Sequence, residues 1–223
     1  MKKFSLVIIS DTHNKHKRLS KLPAADVIIH CGDFTSVGYE HEIQNFMKWY
    51  SSLNQYMYKI FIAGNHDWLF ERNNLLAKSL IPENIIYLED SGIEIKGIKF
   101  YGTPVSKPFC NWAFNRPEEK LAQYWQAIPD NTDVLITHTP PYSIMDWVDR
   151  NKSHEGSPSL YKEVLERVKP LVLTFGNIHS GHGVKVIENT TFINASNLDE
   201  DNMCVYEPIL IEIINNSVNV INY

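Results

Sequence analysis

Five short apolar runs in this chain end alike, in polar or metal-capable side chains, and that repetition constrains the fold more than any single residue does. Residues 6–9 lead into Ser10-Asp11-Thr12-His13, and residues 27–31 into Gly32-Asp33. Residues 58–63 lead into Gly64-Asn65-His66-Asp67, residues 134–137 into His138, and residues 171–175 into Gly176-Asn177-Ile178-His179. Runs of this length without polar alternation suit strands buried on both faces. In an open α/β sheet the carboxyl ends of such strands line the ligand crevice.

Helical periodicity fills the spaces between the runs. Residues 40–52 place Ile43, Phe46, Met47 and Tyr50 near one face, and residues 68–79, 117–127 and 158–168 read as further helices. Pro117 suits a first helical turn and Pro170 stops the last helix. Strand alternating with helix predicts a mainly parallel sheet. Three other stretches read as hairpins: 93–101 around Lys96-Gly97, 184–193 around Glu188-Asn189, and 208–223 around Asn215-Asn216. They predict a second, partly antiparallel sheet. No linker, repeat or charge block interrupts the 223 residues, so a single α/β domain spanning 1–223 is expected.

Charge and cysteine usage narrow the function classes. A formal net charge of −5 argues against strong nucleic-acid binding, which would call for a basic surface. Cys31, Cys110 and Cys204 are odd in number and widely spaced, which suggests neither a disulfide framework nor a zinc ribbon and favours a reducing compartment. Met1-Lys2-Lys3 precedes an apolar run too short for a signal peptide, and no run approaches a membrane span. The expectation is a cytoplasmic protein without a membrane partner. The sequence sets no oligomeric state.

Each polar residue at a strand end has an ordinary explanation. Asp33 suits a cap, Asn65 a turn and His138 a satisfied core histidine. Asp11 and His13 are two residues apart, and side chains at i and i+2 of a strand point the same way, so both can reach one ion. Taken together, five such endings exceed coincidence. The pieces Asp11-Thr12-His13, Gly32-Asp33, Gly64-Asn65-His66-Asp67, His138 and Gly176-Asn177-Ile178-His179 resemble, in order, the motifs of the calcineurin-like metallophosphoesterases. The segments at 29–35, 137–141, 175–183 and 191–196 resemble one branch of them, the small metallophosphoesterase-domain proteins related to brain protein 239.

The resemblance implies two packed mixed β-sheets flanked by helices, a four-layer sandwich. It implies two divalent ions about 3.5–4 Å apart that clamp a phosphate and activate a water. By the same resemblance Asp33 bridges the ions, Asp11, His13 and His179 hold the first, and Asn65 and His138 hold the second. His66 takes the place of the catalytic histidine, with Asp67 as a candidate to orient its ring, and Asn65, His66 and His182 are candidate substrate contacts. A donor set of nitrogen and oxygen without thiolate suits Mn2+ foremost, with Fe, Mg2+ and Zn2+ as alternatives. One position departs from the pattern: the family's Gly-His-x-His reads Gly176-Asn177-Ile178-His179 here. An amide at Asn177 is a poorer donor than imidazole, so the second site is expected to be weaker.

The implied function is hydrolysis of a phosphodiester, cyclic or other nucleotide, or of a phosphomonoester. The alternative is a nucleotide-binding regulatory protein with little turnover, and a DNA-repair nuclease fits the acidic charge poorly. Of the remaining residues, His30 and Cys31 read as packing, Asn194 and Ser196 as turn chemistry, and His16 and His41 as surface. Trp112 and Phe114 read as cover or as a platform for a base, while the sequence assigns His154 no role.

Overall fold

The computed structural model describes residues 3–19 and 22–222. The Met1-Lys2 start and Tyr223, the last residue of the C-terminal hairpin, lie outside them. Along the chain the main strands are β1 (Lys3–Ile9), β2 (Val27–His30), β3 (Tyr58–Phe61), β4 (Ile86–Tyr87), β5 (Ser91–Ile95), β6 (Ile98–Thr103) and β7 (Val134–Thr137). They continue with β8 (Trp147–Val148), β9 (Ser153–His154), β10 (Val172–Phe175), β11 (Gly183–Ile187), β12 (Thr190–Asn194), β13 (Ile209–Ile214) and β14 (Ser217–Asn222). Among the described residues two six-stranded sheets form, in the orders β14-β13-β1-β2-β3-β4 and β11-β12-β10-β7-β6-β5. Each has a parallel centre: β1 to β4 in the first sheet, and β12, β10, β7 and β6 in the second.

The apolar runs are continuous because successive side chains enter different cores. In β1, Leu6 and Ile8 point between the sheets, where they meet Phe100, Val134, Ile136 and Ile193 of the second sheet. Val7 and Ile9 point outward, into the layer of Ile43, Phe46, Met47 and Tyr50 from helix α1 (Glu40–Ser51). The second sheet repeats the arrangement. Leu135, Leu173 and Phe192 face outward to Leu121 and Trp125 of α4 (Glu118–Gln126) and Leu160 of α5 (Pro158–Glu163). Helix, sheet, sheet, helix is the expected four-layer sandwich. A small separate hairpin, β8 with β9, lies outside both sheets.

Three local expectations need correction. The helix read over 68–79 is two helices, α2 (Trp68–Arg72) and α3 (Asn74–Ser79). Asn73 breaks it at φ −145°, and its side-chain oxygen accepts from Leu76 N to start α3 afresh, a conformation that Asn favours over helix interior. The helix read over 158–168 ends in a π-turn at Val164–Val168, closed by Lys169 at φ 45° ahead of Pro170. The C-terminal hairpin does not join the second sheet. Strand β13 pairs antiparallel with β1, where Ile209, Ile211 and Ile213 fill the inter-sheet core and cover the edge that β1 would otherwise expose.

Candidate metal centre

The two sheets meet at their carboxyl ends. Ser10 N donates to Asn197 Oδ1 (3.2 Å) and Asn197 N donates back to Ser10 O (3.1 Å), so β1 is tied to the segment that leaves β12. The loop after β1 runs along the loop after β2: Asp11 N, His13 N and Asn14 N donate to the carbonyls of Gly32, Asp33 and Phe34, each at 3.0 Å. The strand itself stops at Ile9. Asp11 (φ 51°), His13 (φ 36°), Asn14 (φ 65°) and Asp33 (φ 58°) are all left-handed. Asp11 and His13 therefore converge through a turn that folds back on itself and not through strand alternation, as their spacing suggested. Asp, Asn and His tolerate this backbone better than most residues.

What converges is a set of buried carboxylates and imidazoles. Ligand atoms of Asp11, His13 and His179 lie within 4.8 Å of one another, as do those of Asp11, Asp33 and His138 and those of His13, Asp33 and His66. Asp33 Oδ2 is 3.4 Å from His138 Nε2, 3.7 Å from His13 Nε2 and 3.9 Å from His66 Nε2, and Asp11 Oδ1 is 3.7 Å from His179 Nε2. Asn65 Oδ1 lies 2.9 Å from His138 Nε2. The glycines in the motifs make room for the carboxylates: a Cβ on Gly64 would fall 2.2 Å from Asp33 Oδ1, and one on Gly176 2.1 Å from Asp11 Oδ2.

The protonation chemistry shows what the cluster is built to hold. Nδ1 of His13, His66, His138 and His179 donates to the carbonyls of Thr35 (3.0 Å), Ser36 (2.6 Å), Cys31 (2.9 Å) and Asp199 (2.9 Å). A carbonyl only accepts, so each ring carries its proton on Nδ1 and turns Nε2 toward a carboxylate. In a neutral ring that nitrogen is a lone pair facing another lone pair, which is repulsive unless a cation lies between them. Burial pushes Asp33 up, but His138, His66 and His13 outweigh it and hold the carboxyl well below its usual range. Burial likewise opposes charge on His138, yet Asp33 overrides it and raises the ring to about 9. The site thus demands positive charge, and a divalent ion meets that demand with neutral rings and ionised carboxylates, the ligand forms metals require. The donor set fits divalent metal ions.

Some expected residues land in other roles. The hydrogen bonds of Asp67 go to groups other than the His66 ring. Its buried carboxylate accepts from Asp33 N (2.9 Å), Gly64 N (2.7 Å), Thr35 N (3.0 Å) and Thr35 Oγ1 (2.6 Å), which locks the two motif turns together. Burial, with the charge of Asp33 adding to it, raises that carboxyl to about 7. His182 turns from the centre: Nδ1 donates to Ser196 O (2.8 Å) and the ring stacks on Tyr206 at 4.5 Å. Asn177, at φ 66°, donates its backbone N–H to both Asp11 oxygens (3.1 and 3.0 Å). His30 bonds Thr12 Oγ1 at 2.9 Å, and Asn194 Nδ2 donates to Ile178 O at 2.8 Å, so both brace ligand-bearing turns. His16 is 1 % exposed, not a surface residue, and packs its ring on Phe46 and Trp49, while His41 is exposed as expected. Phe114 is buried cover, whereas Trp112 stacks on the His66 ring.

A cleft of about 1020 Å³ opens over the cluster, with Asp33, Asn65, His66, Asn177 and His179 in its floor. Lys15, Lys107 and Arg150 stand on its walls beside Glu155, Glu200 and Asp201. These cations had no motif to announce them. Neither did the carbonyls of Cys31, Thr35, Ser36 and Asp199, since every residue type offers one.

The comparisons follow the same lines. The calcineurin-like phosphoesterase family matches residues 4–181, and the chain belongs to that family. Within it, the chain is similar to the Homo sapiens protein named metallophosphoesterase domain-containing protein 1. The two are 36 % identical over 230 residues, which cover 93 % of this chain and 70 % of the human one. Among solved structures, a Staphylococcus aureus chain described as a candidate 5′-nucleotidase, in complex with α-ketoglutarate, superposes with a TM-score of 0.60 at 12 % identity and covers 98 % of this chain. The Thermus thermophilus sulfate thiohydrolase SoxB gives 0.52 at 11 %, also over 98 % of this chain. This chain spans 53 % and 55 % of those two, and the likeness is one of fold. No described helix is long and apolar enough to cross a membrane.

Proposed function

We propose that residues 1–223 form one domain that is a metal-dependent phosphoester hydrolase, acting on a small phosphodiester, a cyclic or other nucleotide among them, or on a phosphomonoester. The observation that carries this reading is the facing of imidazole Nε2 atoms onto two buried carboxylates, Asp33 in the lining of an open cleft and Asp11 buried behind it. Asp11, His13 and His179 would hold one ion and Asn65 and His138 a second, with Asp33 serving both and Asn177 beside them. Manganese is the proposed ion, and iron, magnesium or zinc suit the same donors. Ions held there would supply Lewis acidity toward the phosphoryl group and would make a water more acidic.

The chain supplies the rest. Lys15, Lys107 and Arg150 offer an anionic ester cationic partners on the cleft walls, interspersed with Glu155, Glu200 and Asp201. His66, anchored through Nδ1, presents Nε2 to a phosphoryl or leaving-group oxygen, and in its doubly protonated form it gives that oxygen the Nε2 proton and keeps the one on Nδ1. Asp67 takes no part in that transfer, because its oxygens are already committed to four donors. The free thiols Cys31, Cys110 and Cys204 support a reducing, cytoplasmic setting.

A second reading, nucleotide binding with little turnover, draws on Asn177. Its amide serves Asp11 and its side chain replaces the family's imidazole. Hydrolysis of bis-(p-nitrophenyl) phosphate and p-nitrophenyl phosphate under Mn2+ titration separates the two. The hydrolase reading expects metal-dependent turnover, and it expects His66→Ala to lower kcat on the order of 10²-fold with metal content kept. A parent that binds Mn2+ and nucleotide yet turns over neither ester establishes the second reading.

A further inference from the structure

We infer that Trp112 is the positioning residue for His66. The inference rests on the hydrolase reading above and adds to it a residue outside every motif. The rings of Trp112 and His66 stack with centroids 4.0 Å apart and planes 24° from parallel. His66 needs such support. Its one ring hydrogen bond among the described residues, Nδ1–H to Ser36 O at 2.6 Å, pins a single atom, and imidazole rotation about the last side-chain bond is otherwise loosely restrained. His13 touches the ring edge-on at 4.6 Å and 79°. Trp112 supplies the face contact that sets the ring plane, and with it the direction of Nε2 toward Asp33 Oδ2 at 3.9 Å.

Trp112 is itself firmly placed. Its N–H donates to Phe109 O (3.1 Å), and the next residue, Ala113, donates to the backbone carbonyl of Asn65 (3.0 Å) beside the site. Phe114 N donates to Glu71 Oε2 (3.1 Å) and Arg116 pairs with Glu71 Oε1 (2.8 Å), which fastens the loop to α2, the helix that follows His66. The residues just after Trp112 are thus tied to the chain on both sides of His66, at Asn65 and Glu71, with the indole stacked on the ring. A ring misaligned by a fraction of an ångström loses proton transfer before it loses binding.

The test measures kcat, KM and metal content for Trp112→Leu and Trp112→Phe, in the parent and in His66→Ala, on the ester the parent turns over best. Trp112→Leu should lower kcat about tenfold, the worth of a good aromatic contact, with KM and metal content unchanged. Trp112→Phe should restore most of it. In His66→Ala the Leu substitution should change nothing further, because Trp112 acts only through the ring that is gone. An equal fall in the His66→Ala background, a rise in KM alone, or a Phe variant no better than Leu overturns the proposal. If the metal-loaded parent hydrolyses no ester, the hydrolase reading fails, and proton NMR of the His66 ring decides the positioning by itself. An upfield ring signal in the parent that shifts and broadens in Trp112→Leu supports it, and an unmoved signal overturns it.

Discussion

His16 shows how far one side chain can depart from what its type suggests. It is buried to 1 % exposure, neither ring nitrogen has a hydrogen-bond partner among the described residues, and the ring packs on Phe46 and Trp49. Burial, with Lys17 adding to it, lowers its pKa to about 4. The unfolded chain takes up a proton here from about pH 6.5 downward, and the folded one only from about pH 4. Between those values the unfolded state holds the extra proton, so acidification removes stability, up to about 3 kcal/mol from this residue. His16→Leu should lose less stability than the parent between pH 7 and pH 4.5 in urea titrations. Parallel losses in both proteins would assign the acid sensitivity to the other buried histidines. Asn177 is a second case. Its left-handed backbone, which Asn accepts readily, lets its amide reach Asp11, so the residue that departs from the family motif still serves the site.

Among the elements, α1 does more than cover a sheet. Glu42, in its first turn, accepts from the backbone N–H of Ser36 (3.2 Å), Val37 (3.3 Å) and Tyr39 (2.8 Å) and from the Asn14 amide. Burial alone would raise this carboxyl, but those donors hold it below its ordinary value. The helix start therefore clamps two loops, one carrying His13 and the other carrying the Ser36 carbonyl that anchors His66. Glu42→Ala orphans several donors at once and should cost on the order of 2 kcal/mol, read as a lower urea midpoint with unchanged slope. Activity should fall with it, since the anchors of His13 and His66 loosen. A variant of parental stability would show that water replaces the carboxylate without penalty.

At the scale of the molecule, the site is a seam. Asp11, His13, Asp33, Asn65 and His66 follow strands of the first sheet, while His138, Asn177 and His179 follow strands of the second. An ion held there would draw on loops of both sheets and so would favour the folded state, where those loops meet. Free Mn2+ at one hundred times its dissociation constant should add about 2.7 kcal/mol to stability, seen as a rise in the unfolding temperature that EDTA reverses. Asp33→Asn, which takes away the carboxylate nearest three imidazoles, should abolish most of that rise. A full shift in this variant would show that Asp33 does not serve both ions.

The strands, their burial on both faces and the order of the polar ends were legible from residues 6–9, 27–31, 58–63, 134–137 and 171–175, because core packing writes itself into hydrophobic runs. The three hairpins were legible for the same local reason, and Lys96-Gly97 and Asn215-Asn216 do turn through positive φ at both residues. Which sheet the last hairpin joins was not legible, since an alternating strand fits any exposed edge and only the free side of β1 settles it. Nor were the duties of Asp67, His182 and Trp112. A motif names residue types, whereas the bonds of Asp67 to Asp33 and Thr35, and the stack of Trp112 on His66, join segments about 30 to 46 residues apart, set by loop packing and not by local pattern. Sequence chose the strands and the residue types at their ends; tertiary structure chose who holds whom, because hydrogen bonds to backbone groups leave no trace in composition or spacing.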